Sequence, residues 1–441
     1  MKRCTMPTTP KPPITPLEKA FEACIHCGMC LSACPTYVHT GDESQSPRGR
    51  IHLSQAVHEG RLPLADLAPA LESCLGCLAC ETACPSQVKY HDVLEAGRLA
   101  MHAKGLGRFS RLAQTMQAIV KQDALLNLIV QAMQLGNALG LRSMVQAAWW
   151  PNWVRQKTRF WLPNVQEPLE PCLRRVDADA ELALHLGCVM KHLMPDVHNA
   201  CVHVLSAMGF TITKSPLGCC GALASHHGLA QETQACLKEN ARAWGTSPPK
   251  ITLSNAGGCG AMLKAYAHVG QTLGLNELHP VLSELAAATE DIHAFIEKHH
   301  ERLPDLALPT PLVVTYQASC HLLHGQGIGS EPLHLLKQVK HLTLVPLAGE
   351  SSCCGSAGIY NLEHPELAQK IAQEKVQALL ATGADVVVVG NPGCLIQLKA
   401  SLAVYAPTAQ IAVLHPMQVL SQALGGSISH LNPDQWEGPP A

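Results

Sequence analysis

A chain of 441 residues has room for about three domains, and its composition is that of an ordinary globular protein: 47% hydrophobic, 15% charged, formal net charge −2. There is no surplus of positive charge to draw in nucleic acid, and no run approaches the roughly 18 consecutive apolar residues of a membrane-spanning helix. Twenty cysteines are many, yet residues 1–17 contain no apolar signal core, which predicts a reducing cytoplasm where thiolates hold metal rather than form disulfides.

Residues 1–16 carry five prolines and read as a disordered tail. Residues 17–100 are organised by two cysteine combs: Cys24, Cys27, Cys30, Cys34, then Cys74, Cys77, Cys80, Cys84, each followed by a proline, Pro35 and Pro85. Both have the spacing C-x2-C-x2-C-x3-C-P, and the second starts 50 residues after the first. This is the pattern of two-cluster bacterial-type ferredoxins, in which the fourth cysteine ligates the other cluster. It assigns Cys24, Cys27, Cys30 and Cys84 to one [4Fe-4S] cluster, and Cys74, Cys77, Cys80 and Cys34 to a second. Zinc sites instead space their cysteines as separated pairs. Gly28 and Gly76 let the backbone pass close to a bulky cluster, and a proline suits the turn out of each fourth ligand. Arg48 and Arg50 precede a helix-like run over residues 51–59. They read equally as solvated surface charges or as charges that compensate a cluster or face a partner.

Residues 101–170 form a helical connector, with apolar residues at helical spacing through Leu112, Met116, Ile119 and Val120 and again over 125–135. Trp149, Trp150, Trp153 and Trp161 follow, interleaved with Arg155, Lys157 and Arg159. Such a patch suits a membrane interface or a protein contact, or packing against the chain's own C-terminal half.

The C-terminal part contains a repeat, read as two cysteine-rich domains over 171–308 and 309–430. The first copy carries Cys188, Cys219-Cys220-Gly221 and Cys259; the second carries Cys320, Cys353-Cys354-Gly355 and Cys394. Corresponding cysteines lie 132, 134 and 135 residues apart. Strand-like runs over 181–186, 210–214 and 251–254, and over 312–316, 342–347 and 386–389, alternate with helical patterns, which implies parallel α/β packing. Each cysteine then falls at the carboxyl end of a strand, where open α/β sheets place their sites. The eight cysteines are a candidate third site, converging where two pseudo-symmetric lobes meet. Cys4, Cys172, Cys201 and Cys236 show no pattern and read as small buried hydrophobes. The expected fold is therefore α+β and multidomain: an α-helical di-cluster ferredoxin domain, a helical connector, and a pair of α/β Cys-Cys-Gly repeats.

Paired combs followed by two Cys-Cys-Gly repeats resemble the family of glycolate oxidase iron–sulfur subunits. The corresponding subunit of anaerobic glycerol-3-phosphate dehydrogenase and the cysteine-rich subunit of heterodisulfide reductase are related to that family. The likeness is carried by Gly41-Asp42-Glu43, Pro47-Arg48-Gly49-Arg50-Ile51, Ser254-Asn255-Ala256-Gly257-Gly258-Cys259-Gly260-Ala261 and Cys353-Cys354-Gly355-Ser356-Ala357-Gly358, and it spans about residues 18–425. The resemblance implies an electron-transfer subunit of an oxidoreductase, with two [4Fe-4S] clusters and no catalytic residue of its own. A flavin-binding partner would oxidise glycolate to glyoxylate, and the electrons would pass toward a quinone. It implies a cytoplasmic protein, peripheral on the inner face of the cytoplasmic membrane. The equivalent subunit of a D-lactate or glycerol-3-phosphate dehydrogenase, or a heterodisulfide-reductase-like thiol or quinone reductase, is the alternative. In the heterodisulfide reductase pattern each repeat ends in C-x2-C and five cysteines bind an unusual cluster. Here Met262 and Gln397 hold the last position, so no five-thiolate site is expected in either copy, though four thiolates suffice for an ordinary cluster. The chain shows no flavin or nucleotide fingerprint: Gly355-Ser356-Ala357-Gly358 lacks the G-x-G-x-x-G spacing.

Overall fold

The computed structural model describes residues 15–108, 110–138, 182–246 and 248–426. Of the tail expected over 1–16, residues 1–14 lie outside the described residues, as do the tryptophan patch, Cys4 and Cys172, while Thr15 and Pro16 open the first helix instead.

The N-terminal region is built from short helices with clear local causes. Thr15 and Glu18 form a reciprocal capping box that starts the helix Pro16–Ala23. Ser46 caps Pro47–His58 by accepting the Gly49 amide at 2.9 Å, and Pro47 supplies a preset first turn. That helix begins four residues before the run expected from residue 51, so Arg48 and Arg50 lie inside it. It packs with Leu64–Glu72 and Tyr90–Ala103 around Ile51, Leu67, Leu71, Val93 and Leu94. Leu71 and Val93 are completely buried, each stabilising the fold by about 1.5–3 kcal/mol relative to exposure. A Cβ on Gly97 would lie 2.4 Å from Leu71 Cδ1, so any larger residue there would have to push the buried Leu71 side chain aside.

Two described connector helices, Ser110–Lys121 and Asp123–Ala138, follow. Asp123 pairs with Lys191 and His192, fastening them to the first repeat.

Each repeat folds as a four-stranded, wholly parallel sheet. In the first, β1 (Leu182–His185), β2 (Ile212–Lys214), β3 (Ile251–Ser254) and β4 (Thr289–Asp291) are ordered β2-β1-β3-β4. In the second, β5 (Ala307–Tyr316), β6 (Lys340–Val345), β7 (Val386–Val388) and β8 (Ala412–Leu414) repeat that order as β6-β5-β7-β8. Helices cross over between parallel strands and cover both faces, which is why β7 is three fully buried valines. The strands β4 and β8 are absent from the sequence expectation: Thr289-Glu290-Asp291 has no apolar run to read. One hydrophobic core runs through both repeats, from Leu184, Leu253 and Ile292 to Val387, Leu398 and Met417. Among the described residues no helix is long and apolar enough to cross a membrane.

Candidate functional site

The combs form tightly curled loops. Backbone φ is positive at His26 and Gly28 in the first comb and at the matching Gly76 and Leu78 in the second. Two of these four are not glycine, at a cost of about 1 kcal/mol or more each. Alternating left-handed residues curl a loop so that its polar groups gather around one point, a cradle for an anionic group.

Cys24, Cys27, Cys30 and Cys84 line one hollow, together with Gly28, Arg48, Pro85 and Cys80. Cys27 is exposed, and Ile25 and Met29 beside it are 69% and 61% exposed. Arg48 lies at the rim, pairing with Glu43 at 2.6 Å and donating to the His26 carbonyl at 3.1 Å.

The second group is buried. Cys34, Cys74 and Cys80 are all below one-tenth exposed, and Cys77 completes the set: burial, with the neighbouring sulfurs Cys74 and Cys34, pushes the Cys77 and Cys80 thiols up. Arg48 lies at the rim, whereas Arg50, 1% exposed, is not a solvated surface charge. Its guanidinium donates to Ala70 O at 2.6 Å, Ser73 Oγ at 3.0 Å and Thr36 Oγ1 at 3.1 Å, with Cys34 Sγ at 3.9 Å. Burial opposes its charge, but Cys74, Tyr90 and Cys34 hold it protonated above the ordinary arginine range. Burial likewise pushes the Cys74 thiol up; Arg50, Arg98 and the Tyr90 hydroxyl, 3.4 Å away, reverse this and leave it below the usual thiol range. A buried cation is tolerable only beside anionic partners. The thiol sets, the curled loops and this cation fit iron–sulfur clusters.

The second comb is pressed against the second repeat. Leu75 and Cys77 share an apolar cluster with Cys353, Tyr360, Ala368 and Ile371. Tyr360 donates to Ser73 O at 3.0 Å, and Thr82 Oγ1 meets His324 Nδ1 at 2.8 Å.

The cysteines of the first repeat gather where Cys188 follows β1, Cys219-Cys220 follows β2 and Cys259 follows β3. Strand order reverses between β1 and β3, the position at which parallel sheets open a crevice. Cys219 is the hub: Cys188, Cys220 and Cys236 converge on it as S–H donors, and together they draw its thiol far below the ordinary range. Cys259 is held down in turn by Cys220, against burial, and by His185. His185 is 1% exposed, with no ordinary hydrogen bond on either ring nitrogen, as a side chain prepared for a further group would be.

Cys236 corrects the sequence reading twice. It is not an isolated packing residue, and it supplies a fifth sulfur to the first copy. Gln117 Nε2 donates to Cys236 Sγ at 3.5 Å and to Cys219 Sγ at 3.7 Å. The helix Ala230–Thr246 delivers it beneath the Cys-Cys-Gly turn, where a Cβ on Gly221 would stand 3.0 Å from Cys236 Cβ. Cys201 remains a packing residue, 0% exposed, with Asn255 Nδ2 at 3.3 Å.

In the second repeat Cys320, Cys353, Cys354 and Cys394 form the corresponding chain of neighbouring thiols. Lys375, 3% exposed, reaches Ser352 Oγ at 2.9 Å; burial pushes it down to about 8 against the pull of the Cys354, Cys353 and Cys394 sulfurs. The turns bearing Cys259 and Cys394 interlock: the Gly257 amide donates to Gly390 O at 3.0 Å and the Gly258 amide to Asn391 Oδ1 at 3.0 Å.

Comparison with known proteins agrees with this layout. Residues 20–88 match the 4Fe-4S dicluster domain, and residues 182–264 and 314–399 match the cysteine-rich domain. The chain is 33% identical over 430 residues to the probable glycolate oxidase iron-sulfur subunit of Bacillus subtilis, covering 92% of this chain and 94% of that one. It is 30% identical over 419 residues to the glycolate oxidase iron-sulfur subunit of Escherichia coli, covering 92% and 95%. Lactate utilization protein A of an Exiguobacterium strain is 30% identical over 244 residues, 55% of this chain and 98% of that one. With its comb domain and two cysteine-rich repeats matched along nearly its whole length, the chain belongs to the family of glycolate oxidase iron–sulfur subunits.

Proposed function

We propose that this chain is the iron–sulfur subunit of a complex that oxidises glycolate to glyoxylate, passing electrons from a flavoprotein subunit toward a quinone at the inner face of the cytoplasmic membrane. Clusters bound at the combs supply one-electron transfer. We assign Cys24, Cys27, Cys30 and Cys84 to one [4Fe-4S] cluster and Cys34, Cys74, Cys77 and Cys80 to the other, with the two cysteine-rich sets as further redox sites. Residues 17–100, 171–308 and 309–430 are the corresponding units.

The observation that carries this reading is the seam between the second comb and the second repeat, where Cys77 and Cys353 share one apolar cluster. It supports a route that enters at the exposed first comb, passes the buried second and continues into the repeats. Arg50 and Arg98 favour the charged form of Cys74, and Leu75, Tyr360 and Ile371 line the apolar seam beside it. The exposed Ile25 and Met29 at the first comb suit the docking face of a flavoprotein. The names of the two long relatives support glycolate; the lactate utilization relatives favour D-lactate as the runner-up.

The test is anaerobic purification of the chain with its flavoprotein partner, followed by addition of glycolate, D-lactate or glycerol-3-phosphate. Bleaching of the visible iron–sulfur absorption by glycolate is expected. Bleaching by another substrate alone would overturn the glycolate assignment, and oxidation of glycolate by the pure, flavin-free chain would overturn the electron-relay reading.

A further inference from the structure

The helix Tyr90–Ala103 of the comb domain and the helix Tyr266–Thr272 of the first repeat face each other across a second seam. There His91, Asp92 and His268 bring one ligand atom each to within 4.8 Å of one another. Asp92 Oδ1 lies 3.3 Å from His91 Nε2 and 3.3 Å from His268 Nε2, and Glu95 Oε2 is 3.9 Å from His268 Nε2. The two imidazole rings stand 5.8 Å apart at 76°. None of these residues belongs to the cysteine sites, and the electron-relay reading does not use them.

We propose that His91, Asp92, Glu95 and His268 bind one divalent ion of the zinc class, clamping the comb domain to the first repeat. The distances argue for it. Ligands about 2.0–2.1 Å from a tetrahedral zinc are separated from one another by about 3.3–3.4 Å, the spacing already held between Asp92 and both histidines. The charges argue for it too: two neutral imidazoles and two carboxylates balance a dication. The outer residues complete the case. Glu81 Oε1 accepts from His91 Nδ1 at 2.9 Å and from the His91 amide at 2.6 Å. That fixes the ring so that the Nε2 lone pair faces the cluster, as carboxylate–histidine–metal triads do. Nitrogen and carboxylate donors also make this site chemically distinct from the thiolate sets, which take iron.

Its place in the fold gives the ion a task. The comb domain touches the second repeat through Cys77 and Tyr360, and this seam holds it to the first repeat through residues 177 positions apart in the chain. A metal closing so long a loop rigidifies both docked surfaces at once.

The experiment uses the full chain, purified anaerobically with its clusters in place and equilibrated with zinc against a competing chelator. Zinc and iron per chain are measured by mass spectrometry, and the unfolding midpoint is followed with and without zinc. One zinc per chain is expected to bind at least tenfold more weakly in His268→Ala and in Glu95→Gln, with iron content unchanged, and zinc is expected to raise the unfolding midpoint of the parent chain only. His268 is 41% exposed, so its loss spares the fold; unaltered iron and circular dichroism verify that. Equal zinc uptake by the parent and both variants would place the metal on thiols, and absence of uptake would leave these four side chains as an ion-pair network. Either result overturns the proposal.

Discussion

The two cysteine-rich repeats share strand order, parallel register and cysteine placement, yet their surroundings have diverged in a consistent way. Under the Cys-Cys-Gly turn of the first repeat lie Cys236 and Asn240; 135 residues later, under the turn of the second, lie Ile371 and Lys375. Both pairs occupy the same helix beneath a glycine of φ +80° or +86°, whose Cβ would strike that helix. Asn240 donates to Cys219 O at 2.9 Å, and Lys375 donates to Gly349 O and Ser352 Oγ. His185 beside Cys259 is replaced by Gln317, whose amide is spent on backbone carbonyls. The first repeat thus has five sulfurs and a buried histidine beside Cys259. The second has four sulfurs, a cation, and the second comb packed against it. The duplication kept the backbone that gathers thiols and changed what surrounds them, so the two sites should not bind or behave alike.

The largest expected effect tests that inequality directly. The full chain should carry more than the about eight irons of two cubanes. Cys220→Ala and Cys354→Ala should each remove iron from one repeat only, by about one cluster's worth. Cys236→Ala should alter the electron paramagnetic resonance of the reduced chain, whereas Cys201→Ala should not. If Cys236→Ala and Cys201→Ala are indistinguishable, the fifth sulfur is packing.

How much of this could be read beforehand follows from the kind of signal involved. The combs and the repeats were legible because ligand geometry fixes cysteine spacing locally, and the 132–135-residue offsets repeat it. Cys236 was not legible: its counterpart is Ile371, and only its tertiary neighbours, Cys219, Gln117 and Gly221, reveal it. Arg50 was ambiguous, because a charged residue's burial depends on neighbours up to 23 positions away, such as Ser73. Nothing local links His91 to His268, and β4 is too short and polar to announce itself. Local chemistry was readable, and juxtaposition across domains was not.

A second prediction concerns the seam that distinguishes the second repeat. Arg50→Met removes the buried cation beside Cys34 and Cys74 and should destabilise the chain by about 3–5 kcal/mol, as breaking a buried ionic contact does. Denaturant titration of the holoprotein measures it. Arg48→Met, at the exposed rim of the first comb, should cost far less; equal losses would erase the distinction between a buried and an open comb.

Buried histidines should make both repeats acid-sensitive, and His198 gives the share of the first. His198 is buried, and its Nδ1 accepts from Asn255 Nδ2 at 2.9 Å. Burial, helped by His185, pushes its pKa down to about 4, against an ordinary value of about 6.5. The unfolded chain therefore binds a proton that the folded chain refuses between those values. Its contribution is fully present above about pH 6.5 and is lost as pH falls toward 4, amounting to about 3 kcal/mol. His198→Gln keeps an acceptor for Asn255 without titrating, so its stability should vary less with pH over this window. His415 and His226 are shifted the same way, so the slope should shrink rather than vanish. An unchanged slope would mean that His198 is protonated in the native state.

The smallest expected effect separates packing within a repeat from packing between domains. Tyr266 in the first repeat and Tyr360 in the second are both buried, and each donates its hydroxyl to a backbone carbonyl at 3.0 Å. The acceptor of Tyr266 is Cys220 in its own repeat, and its oxygen also accepts from Asn240 at 2.6 Å. The acceptor of Tyr360 is Ser73, in the comb domain. Tyr266→Phe removes two hydrogen bonds and leaves Asn240 short of a partner, so it should cost about 2 kcal/mol; Tyr360→Phe removes one, worth about 1 kcal/mol. The locations of the losses should differ more than their sizes. Hydrogen exchange of residues 70–80 should accelerate in Tyr360→Phe and stay at the parent rate in Tyr266→Phe, because only Tyr360 bonds the second comb. Acceleration in both variants would mean that the comb domain is held by the stability of the repeats as a whole, and Tyr360 would then have no particular share in the seam.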